Sequence, residues 1–263
     1  MTVFVTGASG FIGSRVVSML EARGHSVYAL KAKLSEIDAV RQELTNANPD
    51  VVIDLAWQGI PDLGKTMSAL NRDQHIEFLR AVAERGVPKV IVAGSSYQRP
   101  GVAPSDHTAF IAAKDAIRDE GKQLIAQAGG IFIWTYPFFV YGPGKRSGSL
   151  IPSLIRMGKE GHVPAAKNSD AWHDFVYVDD VAEALVLLAE KDVLSGEFDI
   201  GSGTLARTGD IASMVARMFD KTPVPIEECK AEGRKADIAP LTAATGWEPR
   251  TALETGVRAM IED

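Results

Sequence analysis

Three glycines near the start of the chain have the spacing of an anion-binding loop. They lie in the segment Thr6-Gly7-Ala8-Ser9-Gly10-Phe11-Ile12-Gly13, between an apolar stretch at residues 3–5 and a helical apolar pattern at residues 11–20. Glycine at these positions lets the backbone turn tightly, admits a pyrophosphate without a Cβ in its way and allows close packing of helix on strand. The anion then meets free amide hydrogens at the positive end of a helix. The segment therefore predicts a dinucleotide site.

Lys31 and Lys33 follow the second apolar stretch, at residues 25–30. In NAD sites of this kind an acidic residue usually stands here and binds the adenosine ribose hydroxyls. A lysine does not accept a hydrogen bond from a 2′-hydroxyl, but it pairs with a 2′-phosphate. We therefore expect NADP(H) to be preferred, with NAD(H) as the alternative cofactor. The other interpretation is that both lysines are solvated surface residues.

The elements that position the loop follow from an alternation of short apolar stretches with helical patterns. We predict strands at residues 3–5, 25–30, 51–55, 90–93 and 131–134, and helices at residues 11–20, 34–44, 67–84 and 108–128. This alternation predicts an α/β fold with a doubly wound parallel (Rossmann) sheet. After Tyr141-Gly142-Pro143-Gly144 the pattern becomes mixed, with a helix at residues 150–157 and strands at residues 175–178 and 198–201. Asp179 and Asp180 are expected to cap a helix that runs to residue 190.

Composition excludes several classes of protein. The chain has 263 residues, of which 46% are hydrophobic and 24% charged, and a formal net charge of −6. This composition is typical of a folded globular protein, and the mild acidity argues against a nucleic-acid partner. The single cysteine, Cys229, excludes a disulfide framework and a cysteine-ligated metal site, and no metal site is predicted. We see no membrane-spanning run and no secretory signal, so we expect a cytoplasmic protein.

Five motifs in order resemble the extended short-chain dehydrogenase/reductase family, of the NAD-dependent epimerase/dehydratase type. They are the glycine loop, Lys114, Tyr141-Gly142-Pro143-Gly144, the segment 174–182 that reads DFVYVDDVA, and Gly246-Trp247-Glu248-Pro249. The resemblance covers nearly the whole chain. It implies a dinucleotide domain at residues 1–143 with a return segment at residues 174–201. The rest, mainly within residues 144–263, is expected to form a small substrate-binding domain.

The resemblance also implies roles for individual residues. Ser96 is expected to hydrogen-bond the substrate oxygen, and Lys114 to hold the nicotinamide ribose hydroxyls. Pyrophosphate contacts are expected from Gly7, Ser9, Gly10, Phe11, Ile12 and Gly13. Further dinucleotide contacts are expected from Leu55, Ala56, Trp57, Pro137 and Phe139.

One position departs from the family pattern at the centre of its chemistry. The family has a tyrosine four residues before the lysine, but this chain has Phe110 four residues before Lys114. The tyrosine passes a proton to or from the sugar oxygen, and phenylalanine has no hydroxyl for that task. A neighbouring group or water would have to replace it. The candidate side chains are Tyr97, Tyr136, Tyr141 and His107.

The substrate end departs from the pattern as well. His173 stands where the family commonly has an arginine that binds a diphosphate, and it is a shorter and mostly neutral donor. Arg234 matches a second phosphate-binding arginine, although a surface ion pair is an equal interpretation. Lys145 and Arg146 follow the Gly-Pro-Gly turn, and Gln98 and Tyr136 are further expected substrate contacts.

The segments around Leu55 and Ser96 look most like those of nucleotide-linked 4-keto-6-deoxyhexose reductases. The leading interpretation is therefore an NADP(H)-dependent reductase of a nucleotide sugar. A nucleotide-sugar epimerase and a non-catalytic NADP(H)-binding sensor or partner protein remain alternatives. Dehydratase is disfavoured because Tyr97 and Gln98 supply no carboxyl acid where such enzymes have an acidic pair. The resemblance further implies a homodimer through the helices at residues 67–84 and 108–128.

Overall fold

The strands of the chain form two sheets. In this computed structural model, which describes residues 1–102, 107–144 and 148–262, the strands are β1 (Thr2–Thr6), β2 (Ser26–Ala29), β3 (Val51–Asp54), β4 (Lys89–Ala93), β5 (Ile131–Pro137), β6 (Phe139–Tyr141), β7 (Trp172–Tyr177), β8 (Gly196–Ile200) and β9 (Leu205–Arg207). The helices are α1 (Gly13–Ala22), α2 (Ile37–Ala47), α3 (Lys65–Arg85), α4 (Thr108–Gln127), α5 (Leu150–Lys159), α6 (Val178–Glu190), α7 (Thr208–Met218), α8 (Ala239–Thr245) and α9 (Leu253–Glu262). A short 3-10 helix, Ser96–Gln98, follows β4.

The larger sheet has the strand order β2-β1-β3-β4-β5-β8, and every neighbouring pair is parallel. Along β3, Val51 and Ile53 belong to one buried apolar cluster and Val52 to the other, so both faces of the strand are covered. The chain passes from β1 outward to β2 and then back beyond β1 to β3. This order places a topological switch point between β1 and β3, where parallel sheets bind ligands. The predicted α/β doubly wound fold is confirmed.

The smaller sheet lies in the C-terminal half and has the order β6-β7-β9. Strands β6 and β7 are parallel, whereas β7 and β9 are antiparallel. A third apolar cluster, which includes Ile151, Phe175, Val215 and Val257, joins this sheet to α5, α7 and α9. Strands β6 and β9 were not predicted, because three residues carry too short a pattern. Residues 174–201 contribute to both sheets, and the domain boundaries stay a prediction.

The start of α6 differs from the expectation. The helix begins at Val178, and no side-chain hydrogen bond caps it. The carboxylate of Asp180 instead accepts hydrogen bonds from the amides of Arg250 and Thr251, at 3.2 and 3.0 Å. The predicted capping role is wrong, because the carboxylate binds amides 70 and 71 residues away along the chain instead of amides in the first turn of its own helix. Among the described residues, no helix has the length and apolar character needed to span a membrane.

Asp174 ties β7 to the segments that follow β8. Its buried carboxylate accepts hydrogen bonds from the amide of Ser202 at 2.6 Å, the hydroxyl of Ser202 at 2.7 Å, and the amides of Gly203 and Ala236, both at 2.9 Å. Four donors converge on one side chain, so three stretches of the C-terminal half depend on it.

We predict that Asp174→Ala lowers the free energy of unfolding by about 3 kcal/mol or more. The substitution leaves several donors without an acceptor, and each buried one costs about 1–3 kcal/mol. Urea denaturation followed by circular dichroism measures the change. Asp179→Ala is the control, because Asp179 is half exposed and only pairs with Arg15 at 3.6 Å. Equal stability of the two variants would contradict the prediction.

Candidate active site

The glycine loop begins where β1 ends, and its geometry requires glycine. Gly7 has φ +62°, and a Cβ there would lie 2.9 Å from the amide nitrogen of Ala56. A Cβ on Gly13 would lie 2.0 Å from the carbonyl oxygen of Gly7, because the first turn of α1 packs directly against the loop. The amide of Gly10 donates to the carbonyl of Gly7 at 2.9 Å and closes the turn. Bare backbone is therefore presented at the switch point between β1 and β3.

A cavity of about 450 Å³ opens at this loop, and we call it the glycine-loop cavity. Its walls come from the segments after β1, β2 and β3 and from α3. The lining residues are Thr6, Gly7, Ser9, Gly10, Leu30, Ala32, Lys33, Leu34, Leu55, Ala56, Trp57, Gln58, Asn71, Gln74 and His75. Seven of the expected cofactor residues are therefore brought together: Gly7, Ser9, Gly10, Lys33, Leu55, Ala56 and Trp57.

Other expected cofactor residues lie outside that lining. Ile12 packs against a core cluster and Gly13 is buried at the start of α1. Phe11 is half-buried in the loop. Lys31 is exposed, and its amide donates to the carboxylate of Glu43 at 3.1 Å. Of the two lysines after β2, the structure therefore places Lys33 at the cavity.

A second cavity, of about 760 Å³, lies between the two sheets' carboxyl-end segments and α5, and we call it the large cavity. Among the expected site residues it is lined by Ser96, Tyr97, Pro137, Phe139 and His173. Most of the other lining side chains are apolar, and Arg156 and Lys167 provide positive charge. Lys145 and Arg146 lie outside the described residues.

Gln98 and Tyr136, two expected substrate contacts, do not line either cavity. The amide of Gln98 accepts hydrogen bonds from Trp134 and from the backbone of Ser95 and donates to Asp115. The hydroxyl of Tyr136 donates to Glu197 and accepts from Arg118. Both side chains are bound to partners within the protein, and their expected contact with substrate stays a prediction.

His173 and Arg234, expected at the substrate phosphates, have different surroundings. His173 stacks on Phe139 with ring centroids 4.0 Å apart, and burial lowers the pKa of its imidazole below the ordinary value. A neutral ring contributes a hydrogen bond rather than a charge. Arg234 is exposed and lies outside the lining of the large cavity.

Lys114 is buried on α4 beside the end of β4. Its ammonium donates to the carbonyl of Ala93 at 2.7 Å and lies 4.2 Å from the centre of the Trp57 ring. Burial lowers the pKa of Lys114 to about 8, against the opposing attraction of Asp54. The side chain is therefore charged at neutral pH and loses that charge in mildly alkaline solution.

Phe110 belongs to a row of contacting rings that runs between the two cavities. Trp57, from the glycine-loop cavity, meets Phe110 edge-on at 5.1 Å. The ring centroids of Phe110 and Tyr97 are 6.3 Å apart, and those of Tyr97 and Phe139 are 6.0 Å apart. Tyr97 and Phe139 line the large cavity. The ring at position 110 is thus buried between the two cavities.

The four candidate replacements for the missing hydroxyl are placed differently. Burial and the bond to Glu197 raise the pKa of Tyr136 to about 12, and burial raises the pKa of Tyr141 above its usual range. The Tyr141 hydroxyl also donates to the carbonyl of Leu253 at 3.4 Å. His107 contacts the ring of Tyr97 but lies outside the large cavity. Tyr97 lines that cavity directly beside Ser96.

Helix α3 also contributes to the glycine-loop cavity, which the sequence pattern did not predict. Asn71, Gln74 and His75 line the glycine-loop cavity, and their spacing puts them on one face of the helix. A second overlooked residue, Asp54, ends the continuous apolar strand β3 and contacts His75. A charged residue that ends a buried strand was the available signal, but its partner 21 residues later was not evident without the fold.

Comparison with known proteins identifies the fold's family. The sequence model of the NAD dependent epimerase/dehydratase family matches residues 3–201, about three quarters of the chain. The chain belongs to this family. Membership confirms the resemblance to extended short-chain dehydrogenases/reductases and places the chain among the NAD(P)-dependent enzymes, with a nicotinamide dinucleotide as cofactor.

Several relatives are similar to this chain over nearly their whole length. GDP-6-deoxy-D-mannose reductase of Pseudomonas aeruginosa is 25% identical over 295 residues, covering 99% of this chain and 96% of the relative. The structure of RMD from Pseudomonas aeruginosa complexed with NADPH has a TM-score of 0.85 at 23% identity, covering 99% and 97% of the two chains. UDP-glucose 4-epimerase of Thermotoga maritima with UDP-glucose has a TM-score of 0.84 at 21% identity, covering 100% and 98%. Both structures share the fold of this family member.

We predict that the affinity of the protein for NADPH falls as the pH rises through about 8, the pKa of Lys114. Below that pH the ammonium of Lys114 can donate a charge-assisted hydrogen bond to the bound cofactor, and above that pH only a neutral amine remains. The difference of ~1 kcal/mol corresponds to about a fivefold change in the dissociation constant. Titration calorimetry between pH 7 and 9.5 measures it.

Lys114→Gln should flatten this pH profile, whereas Lys122→Gln, an exposed position on the same helix, should leave it intact. Persistence of the alkaline loss in Lys114→Gln would assign it to another group and contradict the prediction.

Proposed function

We propose that the chain is an NADP(H)-dependent oxidoreductase that reduces the 4-keto group of a nucleotide-linked 6-deoxyhexose. The observation that carries the proposal is the juxtaposition at the end of β4. Lys114 is bound to the carbonyl of Ala93, and Ser96, three residues further on, lines the large cavity. The lysine proposed to hold the cofactor lies beside Trp57 of the glycine-loop cavity, and the hydroxyl proposed to bind the substrate oxygen lines the large cavity.

The residues of the glycine-loop cavity fit a dinucleotide. A Cβ would fill the loop at Gly7 and Gly13, and two buried nitrogens, Nε1 of Trp57 and Nε2 of His75, have no hydrogen-bond partner among the described residues. In the proposed arrangement the loop amides bind the pyrophosphate, and Lys114 holds the nicotinamide ribose hydroxyls. The bound cofactor supplies the hydride.

The protein has to supply the accompanying proton, and we assign that task to Tyr97. Phe110 has no hydroxyl, and Tyr136 lies outside the large cavity. The hydroxyl of Tyr141 donates to the carbonyl of Leu253, and its pKa is raised. Tyr97 contacts Phe110 and lines the large cavity beside Ser96. In this scheme Ser96 hydrogen-bonds the keto oxygen and positions it, and the Tyr97 hydroxyl protonates it as the alcohol forms.

The preference for NADP(H) rests on Lys33. It lines the glycine-loop cavity just after β2, where a carboxylate would otherwise hold a 2′-hydroxyl. Its ammonium attracts a 2′-phosphate. The similar structure of RMD, which is complexed with NADPH, supports the same choice.

The substrate class rests on the relatives and on the charge in the large cavity. The chain is similar to a GDP-6-deoxy-D-mannose reductase and to a dTDP-4-dehydro-6-deoxy-D-allose reductase. Arg156 and Lys167 line the cavity and are suited to a diphosphate, while Arg234 stays exposed. Nucleotide-sugar epimerase is the second candidate, favoured by the similarity to UDP-glucose 4-epimerases.

We predict NADPH oxidation when the protein meets dTDP-, CDP- or GDP-4-keto-6-deoxyhexoses, followed by absorbance of the reduced nicotinamide. Tyr97→Phe should lower kcat by about 10² or more, as for loss of a general acid, with unchanged NADPH affinity. Tyr141→Phe is the matched control. Tyr141 lines the same cavity, but the hydroxyl that this substitution removes already donates to the carbonyl of Leu253.

Phe110→Tyr completes this experiment. A site rebuilt around Tyr97 should gain nothing from the restored hydroxyl. If the unchanged protein is inactive across the panel and Phe110→Tyr creates turnover, the reductase proposal fails and a binding role takes its place. Turnover without net NADPH consumption would favour the epimerase.

We predict that Lys33→Glu weakens NADPH binding about tenfold relative to NADH, since an attraction to the 2′-phosphate of ~1.4 kcal/mol is lost. Lys31→Glu makes the same charge change at an exposed position outside the cavity and should alter the ratio little. Fluorescence titration of both cofactors measures the ratio. Equal effects of the two substitutions would refute a specific role for Lys33.

Two broader features of the proposal remain predictions. The single exposed cysteine, Cys229, agrees with a cytoplasmic location. A homodimer would use α3 and α4, on which Leu70 is an exposed large apolar residue. Light scattering of the purified protein tests the second point.

A further inference from the structure

A buried network of polar side chains stands behind the glycine-loop cavity. The hydroxyl of Thr6 donates to Oδ1 of Asp54 at 2.5 Å, and Nδ1 of His75 lies 2.7 Å from Oδ2 of the same carboxylate. All three residues are at most 2% exposed. The network links β1, β3 and α3 at the switch point of the sheet.

The network fixes the orientation and the tautomer of His75. Burial opposes ionisation of Asp54, but its interaction with His75, the hydrogen bond from Thr6 and the charge of Lys114 outweigh this effect and hold the pKa of Asp54 below its ordinary value. An ionised carboxylate only accepts hydrogen bonds, so Nδ1 of His75 carries the proton. In the neutral ring, Nε2 is then an acceptor that faces away from Asp54.

This Nε2 atom is buried and has no hydrogen-bond partner among the described residues. The same holds for Nε1 of Trp57, whose ring stacks on His75 with centroids 5.7 Å apart. Buried polar atoms are nearly always paired, so two unpaired nitrogens on stacked rings require an explanation. Both residues line the glycine-loop cavity.

Neighbouring polar groups of α3 do not meet this need, because they bind the protein itself. The side chain of Asn71 accepts from the amide of Gln58 and donates to the carbonyls of Gln58 and Met67. The side-chain oxygen of Gln74 accepts a hydrogen bond from the side-chain amide of Gln58 at 2.6 Å. Of the buried side-chain nitrogens and oxygens along this wall, the two ring nitrogens are therefore the ones left without a partner among the described residues.

We propose that His75 and Trp57 form a hydrogen-bonding pair for a ribose hydroxyl of the dinucleotide, an inference that rests on the proposed function. A hydroxyl group satisfies both nitrogens, since it donates to Nε2 of His75 and accepts from the indole N–H of Trp57. A phosphate oxygen only accepts and would satisfy the indole alone while His75 is neutral. Burial and the bond to Asp54 hold the imidazole ready, so little conformational freedom is lost on binding.

Two substitutions of His75 separate the two ring nitrogens. His75→Asn keeps a donor near the place of Nδ1 for Asp54 and removes the unpaired Nε2 atom. His75→Gln extends a polar group to the place of Nε2 and gives up the bond to Asp54. We expect His75→Asn to raise the dissociation constant for NADPH about tenfold, equivalent to 1.4 kcal/mol, and His75→Gln to restore part of the affinity. Titration calorimetry gives the affinities, and thermal unfolding gives the stabilities.

Trp57→Phe should weaken NADPH binding about fivefold, since it keeps a ring and removes the N–H. Trp172→Phe is the matched control. Trp172 also has an unpaired buried indole nitrogen, but it lies on β7 outside both cavities, so its substitution should leave the affinity unchanged.

Two ligands identify the ribose. A loss of affinity for 2′,5′-ADP in His75→Asn would assign the pair to the adenosine ribose, and a loss confined to NADPH would assign it to the nicotinamide ribose. Affinities that follow the melting temperatures, or that stay within twofold of the unchanged protein, would overturn this inference alone. No binding of NADPH or NADH by the unchanged protein would overturn the proposed function and this inference with it.

Discussion

The hydroxyl of Thr6 joins the ends of β1 and β3, and the arrangement of both cavities depends on that junction. It donates to Asp54 and accepts from the amides of Leu55 and Ala56, at 3.1 and 3.0 Å. These contacts hold the segment after β3 against Gly7, whose missing Cβ permits the approach. Trp57 follows immediately and begins the row of rings that reaches the large cavity. A single buried hydroxyl therefore sets the distance between the loop and the elements around it.

Sequence alone predicted the features that depend on local pattern. Strand β3 was evident because Val51, Val52 and Ile53 are covered on both faces, and the glycine loop because its spacing has few structural uses. Side-chain destinations were harder to predict. Gln98 is next to Tyr97 in the chain, but the 3-10 helix turns it toward Trp134 and away from the large cavity. Asp180 found partners 70 residues away instead of capping its own helix. Such outcomes follow from packing between distant segments, which a pattern within one segment does not contain.

Phe110, at the position where a tyrosine was expected, is integrated into the packing around it. Edge-to-face contacts with Trp57 and Tyr97 give position 110 a structural role between the cavities. Lys114 lies over the other ring of this group, Trp57, and keeps a position on α4 close to Asp54. The charge of the lysine is thus balanced by a carboxylate and an aromatic face rather than by a phenol.

The two cavities differ in the sequence separation of the residues that line them. The glycine-loop cavity is lined entirely by residues 6–75, whereas the lining of the large cavity extends from residue 95 to residue 208. Asp174 must also meet Ser202 and Ala236 before β7 is secured. The first cavity is therefore built from contacts of short sequence separation, and the second requires the closure of much longer loops. A ligand that binds the first cavity would stabilise an early part of the chain, whereas the large cavity is completed only by residues as far along the chain as Thr208.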